Sequence, residues 1–552
     1  MTGAANPAWR SAAFDALGRE TFDLLIVGGG INGAGIARDA VLRGLRVALV
    51  EQADFGSGTS SRSSKLIHGG IRYLEQGHVG LVLEATRERE RLRRLAPHLV
   101  RPMRFIYPVY RRSATPGFWT LTAGLWAYDV LAGLFRVKRH RMLSRRALHV
   151  AEPTLRTDGL RGGGEYWDAW TDDARLVLET LLDARGEGAV VASYARLVRF
   201  VQDDARIAGA EIADALGDRV VTVRARAVVN ATGPWVDAVA RLDDPAAPTR
   251  LRPTKGVHLV VPRARIGHHA AIVLHAVQDG RVLFVIPWGQ HSLVGTTDTD
   301  HEPGRPPRVE PSDVAYLLDT VNHWFPAADL RASDVVSGFA GLRPLIAPAA
   351  HANPSDVSRE EEIFVSPSGL VSIAGGKLTT YRIVAAKVVD RIAERLGRTG
   401  SGAPIGPSRT AERPLPGGTS QPERLAADAL ARDGHGLGGP VVGHLAGRYG
   451  ERLAEVLGLV GRDRALGAPV LPGLPDARAE VVEAVERELA VTLEDVLRRR
   501  TQVALFDDAG AERAAVDVAT LMASALGWSE AAARAAAADY VAAVREDRSR
   551  WR

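Results

Sequence analysis

Residues 21–51 read TFDLLIVGGGINGAGIARDAVLRGLRVALVE. The apolar run 24–27 has the length of a buried strand. Gly28, Gly30 and Gly33 follow it, then a helical stretch over 34–43, a stop at Gly44, and a second apolar strand over 47–50 ending on Glu51. Each part suits a dinucleotide. Gly28 permits the tight turn from strand to helix, Gly30 lets the backbone approach a pyrophosphate, and Gly33 lets the helix sit close against the sheet. The helix N-terminus offers N–H groups and the positive end of a dipole to the phosphates. Glu51 can accept hydrogen bonds from a ribose diol. In a chain with 56 glycines a bare GxGxxG decides little. Strand, glycines, helix, strand and terminal acid in that order, within about thirty residues, define a Rossmann-like α/β unit. The fingerprint does not separate NAD from FAD.

At 552 residues the chain is too long for one core, and about 150 residues per domain implies two to four. With 46% hydrophobic and 24% charged residues, the composition is that of an ordinary globular protein. A net charge of +5, without a zinc-finger or RNP-type motif, gives no reason to expect a nucleic-acid partner. Cysteine is absent. This excludes a disulfide framework, a cysteine-held iron–sulfur cluster and a redox-active CxxC. A bound flavin would therefore have to pass its electrons directly to a diffusing acceptor or to oxygen. The N-terminal stretch lacks the apolar core of a signal peptide, so a cytoplasmic protein is expected. No metal-ligand set is assigned.

Downstream, DFGSGTSSRSSKLIHGGIRYLEQGH (54–78) is dense in small polar residues and suits a loop wrapped around a cofactor. The charge run in LEATRERERLRRLAPHL (83–99) reads as a solvated helix face, as does 498–500. The run FWTLTAGLWAYDVLAGLF (118–135) carries only Asp129 and leads into RVKRHRMLSRR (136–146). As a membrane span it would place that aspartate in the apolar core and is barely long enough. It is therefore either a buried or partner-facing helix, or one that dips Trp119 and Trp126 into a bilayer surface while the arginines meet anionic headgroups. Alternation over 281–297 predicts hairpins of an antiparallel sheet, the segment 316–324 a helix, and 369–392 a short strand, Gly375-Gly376 and another helix aimed at the ligand. A Pro/Gly-rich linker follows over 396–418, then helical patterns to the C-terminus.

Together VGGGINGAGIARDA, TSSRSSKLIHGGIRYLE, APHLVRPMRFIYP, DDARLVL, NATGPWVD, KGVHLVVP, FVIPWG with GTTD, GLRPL and GGKLTTYR resemble the FAD-dependent, respiratory (aerobic) glycerol-3-phosphate dehydrogenases. LEDVLRRRTQVAL fits the helical domain of that family. The likeness covers nearly the whole chain, most closely 23–388. It implies non-covalent FAD in a Rossmann-like domain of the D-amino-acid oxidase type (20–80, 170–245 and 335–395). An antiparallel-sheet substrate domain (81–169 and 246–334) and a C-terminal helical domain (419–552) complete the chain.

On that template Gly28, Gly30, Gly33 and Glu51 hold the ADP half, with Gly233 of NATG beside them. Thr59, Ser60, Ser63, Ser64 and Lys65 line the ribityl and pyrophosphate path, and Gly376, Lys377 and Leu378 sit at the pyrimidine end of the ring. The substrate phosphate needs fixed cations, and the matched candidates are Arg72 and Arg343, with Tyr73, His258 and Lys377 nearby. The implied reaction moves the C2 hydride of sn-glycerol 3-phosphate to flavin N5 and the C2 hydroxyl proton to a base, giving dihydroxyacetone phosphate. His258 and His68 are both candidates for the base, and His258 is preferred because His68 also suits a role in shaping the flavin loop. Arg343 and Lys377 could polarise the developing alkoxide. The expected partners are a membrane quinone, an anionic membrane surface on the inner face of the cell membrane and a second copy of the chain. The rival readings are an α-glycerophosphate oxidase using oxygen, an amino-acid or sarcosine oxidase of the same fold, and a non-catalytic flavoprotein binding RNA or membrane.

Overall fold

The computed structural model describes residues 7–70, 78–111, 117–133, 137–302, 304–347 and 361–551. The opening stretch folds as its pattern predicts. Thr21–Val27 is a strand with six of its seven residues buried, Ile31–Leu42 a helix, and Val47–Val50 a fully buried strand. The two strands run parallel, Val27 beside Val50. Val220–Asn230 pairs parallel on the other side of the first strand, and Val371–Ala374 parallel beyond that. Strands buried on both faces read as continuous apolar runs, as in 24–27 and 47–50. Val220–Asn230 instead alternates exposed and buried residues up to 226 and is buried throughout only over 227–230.

The main path of this eight-stranded sheet runs Glu362–Val365, Val371–Ala374, Val220–Asn230, Thr21–Val27, Val47–Val50, Val190–Ala192. Segments far apart in sequence thus bring the carboxyl ends Val27, Val50 and Asn230 to one edge, where open α/β sheets bind ligands.

The second sheet has ten strands. Val282–Trp288 and His291–Gly295 form the hairpin that alternation predicts. Leu251–Pro262 lies between His291–Gly295 and Ser337–Ile346, and pairs with the latter from Leu251 opposite Ile346 to Val260 opposite Ser337. The expected domain boundary at 335 is therefore displaced: Ser337–Ile346 belongs to the substrate-side sheet, as does Leu66–Ile67. Composition does not encode which distant strand an apolar segment pairs with.

Two charge runs differ from their expected solvated state. In the helix Val79–Leu95, Glu88 and Arg89 are buried. Glu88 accepts two 2.8 Å hydrogen bonds from Arg382, and Arg89 is ion-paired with Asp168. Asp495–Arg500 is a π-helical turn whose Arg499 and Arg500 are buried against Asp54. Segment 396–418 is laid along the nucleotide-binding sheet rather than left free: Gly400 N–H donates to Asp23 at 2.6 Å and Arg38 donates to Arg413 O at 2.8 Å.

Phe118–Ala132 buries Leu121, Leu125, Tyr128 and Ala132 on one face. Trp119, Trp126 and Val130 are 80%, 58% and 72% exposed. Asp129 is capped by His140, whose backbone N–H and Nδ1 lie 3.1 and 2.8 Å from it. Among the described residues no helix is long and apolar enough to cross a membrane.

Candidate functional site

At the carboxyl edge the glycines are demanded by the backbone. Gly28 has φ +110°, and a Cβ there would lie 2.6 Å from Ala231 O. A Cβ on Gly33 would lie 1.8 Å from Gly28 O. The N-cap of the helix is Gly30, whose added Cβ would meet Ser60 Oγ at 3.2 Å. That hydroxyl accepts from Ile31 N–H at 3.0 Å, so the loop after the second strand is tied to the first turn of the helix. The first-turn amides have no acceptor within the helix and suit an anion.

Glu51 accepts from Gly29 N–H at 2.7 Å and from Ala53 N–H at 3.0 Å. Burial pushes its carboxyl above the usual range while these amides pull it down. A carboxylate has about four acceptor positions, so two such bonds leave capacity for a diol. The turn at Ala231-Thr232-Gly233 abuts Gly28, and Gly233 adopts φ +57°. These features fit the ADP half of a dinucleotide.

A cavity of about 520 Å³ continues from this edge between the two sheets. Its wall brings together Thr59, Ser63, Ser64 and His68 of the small-residue loop, His258 and Arg343 of the large sheet, and Gly376, Lys377 and Leu378 of GGKL. The small-residue loop touches both of the others, and the helix after the glycine turn touches GGKL. Asn32 Nδ2 donates to Gly375 O at 3.3 Å, His68 N–H donates to Thr379 Oγ1 at 3.2 Å, and Thr59 Oγ1 donates to Leu342 O at 2.6 Å. The helix after GGK begins with the 3-10 turn Leu378–Thr380 and continues as Tyr381–Leu396.

His258 is 3% exposed and stacks on Phe339 with ring centroids 5.0 Å apart. Its Nε2 lies 2.8 Å from Ser64 Oγ, and its Nδ1 has no hydrogen-bond partner among the described residues. Burial, then Arg343 and Lys65, push its pKa down to about 3, so the ring is neutral. Arg343 crosses the strand at Gly256, where an added Cβ would be 2.6 Å from Nη2. Residues 256 and 258 share one face of a pleated strand, which sets guanidinium and imidazole on the same wall.

Arg343 is not an uncommitted cation. It is ion-paired to Asp298 at 2.9 Å and donates to Thr296 Oγ1 at 2.9 Å and Thr297 O at 3.1 Å.

Lys65 departs from its expected place along the cofactor path. It is fully buried in an ion pair with Asp173 and lies over the rings of Trp288 and Phe339. Ser63 Oγ donates to the same aspartate at 2.8 Å. The backbone of His68 sits against the GGKLTT turn through Thr379 Oγ1. Arg72 and Tyr73 lie outside the described residues.

Sequence reasoning missed Asp298, Asp173 and the Ser64–His258 pair as partners. Each stood inside a quoted motif, Asp173 in DDARLVL, Asp298 in GTTD, Ser64 in TSSRSSKLIHGGIRYLE and His258 in KGVHLVVP, but nothing local says which distant residues pair. Among the described residues one set with metal-ligand geometry occurs, His444, Asp476 and Glu480 in the C-terminal domain. Its carboxylates are already held by Arg448 Nη1 at 2.7 and 2.6 Å.

A glycine-turn nucleotide edge opening into a cavity walled by a second, largely antiparallel sheet defines a dinucleotide-dependent oxidoreductase. Residues 23–382 match the family of FAD-dependent oxidoreductases (DAO), and residues 408–533 match the C-terminal domain of alpha-glycerophosphate oxidase. Glycerol-3-phosphate dehydrogenase 2 of Mycobacterium tuberculosis is 39% identical over 552 residues, covering 98% of this chain and 91% of the relative. The aerobic glycerol-3-phosphate dehydrogenase of Bacillus subtilis is 38% identical over 497 residues, covering 89% and 88%. The crystal structure of the glycerol-3-phosphate dehydrogenase from Bacillus halodurans complexed with FAD superposes with a TM-score of 0.81 at 33% identity, over 98% of both chains. The chain belongs to the FAD-dependent glycerol-3-phosphate dehydrogenase family, within the D-amino-acid-oxidase-type flavoproteins.

Proposed function

We propose that the chain binds FAD non-covalently, oxidises sn-glycerol 3-phosphate to dihydroxyacetone phosphate, and gives the electrons to a membrane quinone. The observation that carries this reading is the neutral, buried His258, held by Ser64 on the same wall as Arg343 and facing the cavity that Lys377 also lines. FAD, when bound, supplies the hydride acceptor. The chain must then hold the phosphate, orient C2 and take the hydroxyl proton. Arg343 suits the first task because Asp298 and Thr296 fix its fork in advance, and Lys377 adds a second cation. With the cavity free of anions, Arg343 and Lys65 oppose protonation of His258. A dianionic phosphate beside them offsets that field and raises the basicity of the ring when substrate is present. His258 then accepts the C2 hydroxyl proton while C2 loses its hydride and the carbonyl forms.

The test is anaerobic addition of glycerol 3-phosphate to the yellow protein. Loss of the flavin band supports the reading, and persistence of the band rejects it. Reoxidation by a short-chain quinone faster than by oxygen supports the dehydrogenase, whereas rapid peroxide formation identifies an oxidase.

The exposed Trp119, Trp126 and Val130, with Lys138, Arg139, Arg141, Arg145 and Arg146 exposed nearby, support docking of this face on an anionic bilayer. On this reading the protein works at the inner face of the cell membrane, with two copies able to present the same side. Co-sedimentation with anionic liposomes, lost on charge reversal of 138–146, checks the docking.

A further inference from the structure

The turn that follows the ribose-binding strand is gripped by the C-terminal helical domain. Glu51 and Ala53 belong to this turn, with Ala53 N–H donating back to Glu51 Oε1 at 3.0 Å. Next in the chain, Asp54 is fully buried. Both its oxygens are taken by the C-terminal domain: Arg500 donates to Oδ2 at 2.7 Å and to Oδ1 at 2.9 Å, and Arg499 Nε donates to Oδ2. On the other side Tyr194 N–H donates to Ala53 O at 2.9 Å. The hydroxyl of Tyr194 donates to Asp495 Oδ1 at 2.7 Å, and that same oxygen accepts from Arg499 Nη2 at 2.7 Å.

All three C-terminal residues lie on one π-helical turn, Asp495–Arg500. Such turns recur at functional sites. Their i→i+5 bonding puts more residues in each turn and so changes the angle between successive side chains, and here the consecutive Arg499 and Arg500 both reach Asp54. Arg500 is anchored from behind by Glu488 O at 2.9 Å. A bidentate arginine–carboxylate pair fixes geometry as well as charge, so the position of the Glu51–Asp54 turn is set by residues more than 440 positions away in sequence.

We propose that this turn of the C-terminal domain is a retaining clamp for the ADP half of the flavin nucleotide. Arg499, Arg500 and Asp495 act as positioning residues that hold Glu51 at the ribose without touching it. The domain distinguishes this chain from a bare two-sheet flavoprotein, and on this reading it contributes to cofactor retention, not only to bulk. The proposal rests on FAD being the cofactor.

The test uses the full-length chain stripped of flavin, measuring the FAD dissociation constant by quenching of flavin fluorescence and, separately, the thermal midpoint of the apoprotein. Arg500→Lys keeps the charge but loses the fork. Tyr194→Phe removes only the hydroxyl, with its bonds to Asp495 and Thr492. Lys255→Met, which breaks the buried Lys255–Asp313 ion pair of the other sheet, is the control for general destabilisation. Arg500→Lys and Tyr194→Phe are expected to weaken FAD binding by roughly three- to thirtyfold, the range of such indirect couplings. Lys255→Met lowers the apoprotein midpoint with FAD affinity within about twofold of wild type. The clamp is overturned by wild-type FAD affinity in both variants, or by a loss no larger than that of Lys255→Met at the same midpoint. Wild type failing to bind FAD would end the cofactor reading and the clamp together, whereas normal wild-type binding with unaffected variants ends the clamp alone.

Discussion

Ser64 Oγ lies 2.8 Å from Nε2 of His258, and this contact joins the small-residue loop to the large sheet inside the cavity. It fixes the ring while leaving Nδ1 without a partner among the described residues. If His258 takes the hydroxyl proton, His258→Gln should lower kcat by about 10²–10⁴, the usual weight of a positioned general base. Flavin content should remain normal, because the substitution leaves the glycine turn and Glu51 untouched. Ser64→Ala, which loses one neutral hydrogen bond worth about 1 kcal/mol, should cost only several-fold. Steady-state kinetics on preparations of matched flavin absorbance decide this, and a His258→Gln enzyme with near-normal kcat removes His258 from the role.

Arg343 offers a second check. Its fork is occupied by Asp298, Thr296 and Thr297 O in a geometry that a lysine cannot reproduce. Arg343→Lys should reduce kcat/KM roughly ten- to hundredfold, in line with losing a charge-assisted bond worth about 1.5–3 kcal/mol. The loss should fall mainly on KM. An unchanged KM for glycerol 3-phosphate would place the phosphate elsewhere.

What the chain disclosed in advance was local. Strand, glycine turn and helix over 21–51 are written in short-range periodicity and in glycines that the backbone itself requires, as the 1.8 Å clash at Gly33 illustrates. The alternation over 281–297 likewise announced its hairpin. What stayed hidden depends on long-range partners. Arg499 and Arg500 look like solvent charges until Asp54 arrives from the other end of the chain. Glu88 and Arg89 look the same until Arg382 and Asp168 cover them. Ser337–Ile346 changes sheets because Leu251–Pro262 offers it a partner. Arg343 was legible as a cation, yet Asp298, which orients it, lies 45 residues upstream on a different segment.

The glycine turn supplies a steric prediction. Gly33→Ala would drive a methyl group against Gly28 O, a backbone atom with no rotamer to change. The helix must then move off the strand that carries the turn, so the variant should purify with little or no bound flavin. Gly44→Ala is the comparison, since an added Cβ there meets nothing within 4 Å and the cost comes only from its φ of +90°. It should retain the yellow colour. The ratio of flavin to protein absorbance measures both, and a fully flavinated Gly33→Ala protein would contradict the packing.

A final prediction concerns acid. His98 is fully buried with neither ring nitrogen hydrogen-bonded among the described residues. Burial, followed by the nearby Arg175, pushes its pKa down to about 3, from 6.5 in the ordinary case. Above pH 6.5 the ring is neutral in both folded and unfolded chains and does not make stability depend on pH. Between 6.5 and 3 the unfolded chain binds a proton that the folded chain refuses, so this contribution is lost as pH falls, approaching about 1.4 kcal/mol per pH unit. The wild-type slope sums opposing groups. Glu483, pushed up to about 7 by burial and the adjacent Glu488, works in the reverse direction over part of the same range. The informative quantity is therefore a difference. Relative to wild type, His98→Gln should gain stability steadily as pH falls from 6.5 to 5, by about 1–2 kcal/mol in total. Denaturant unfolding at a series of pH values tests it, and parallel curves for the two proteins would mean that His98 titrates as freely in the folded chain as in the unfolded one.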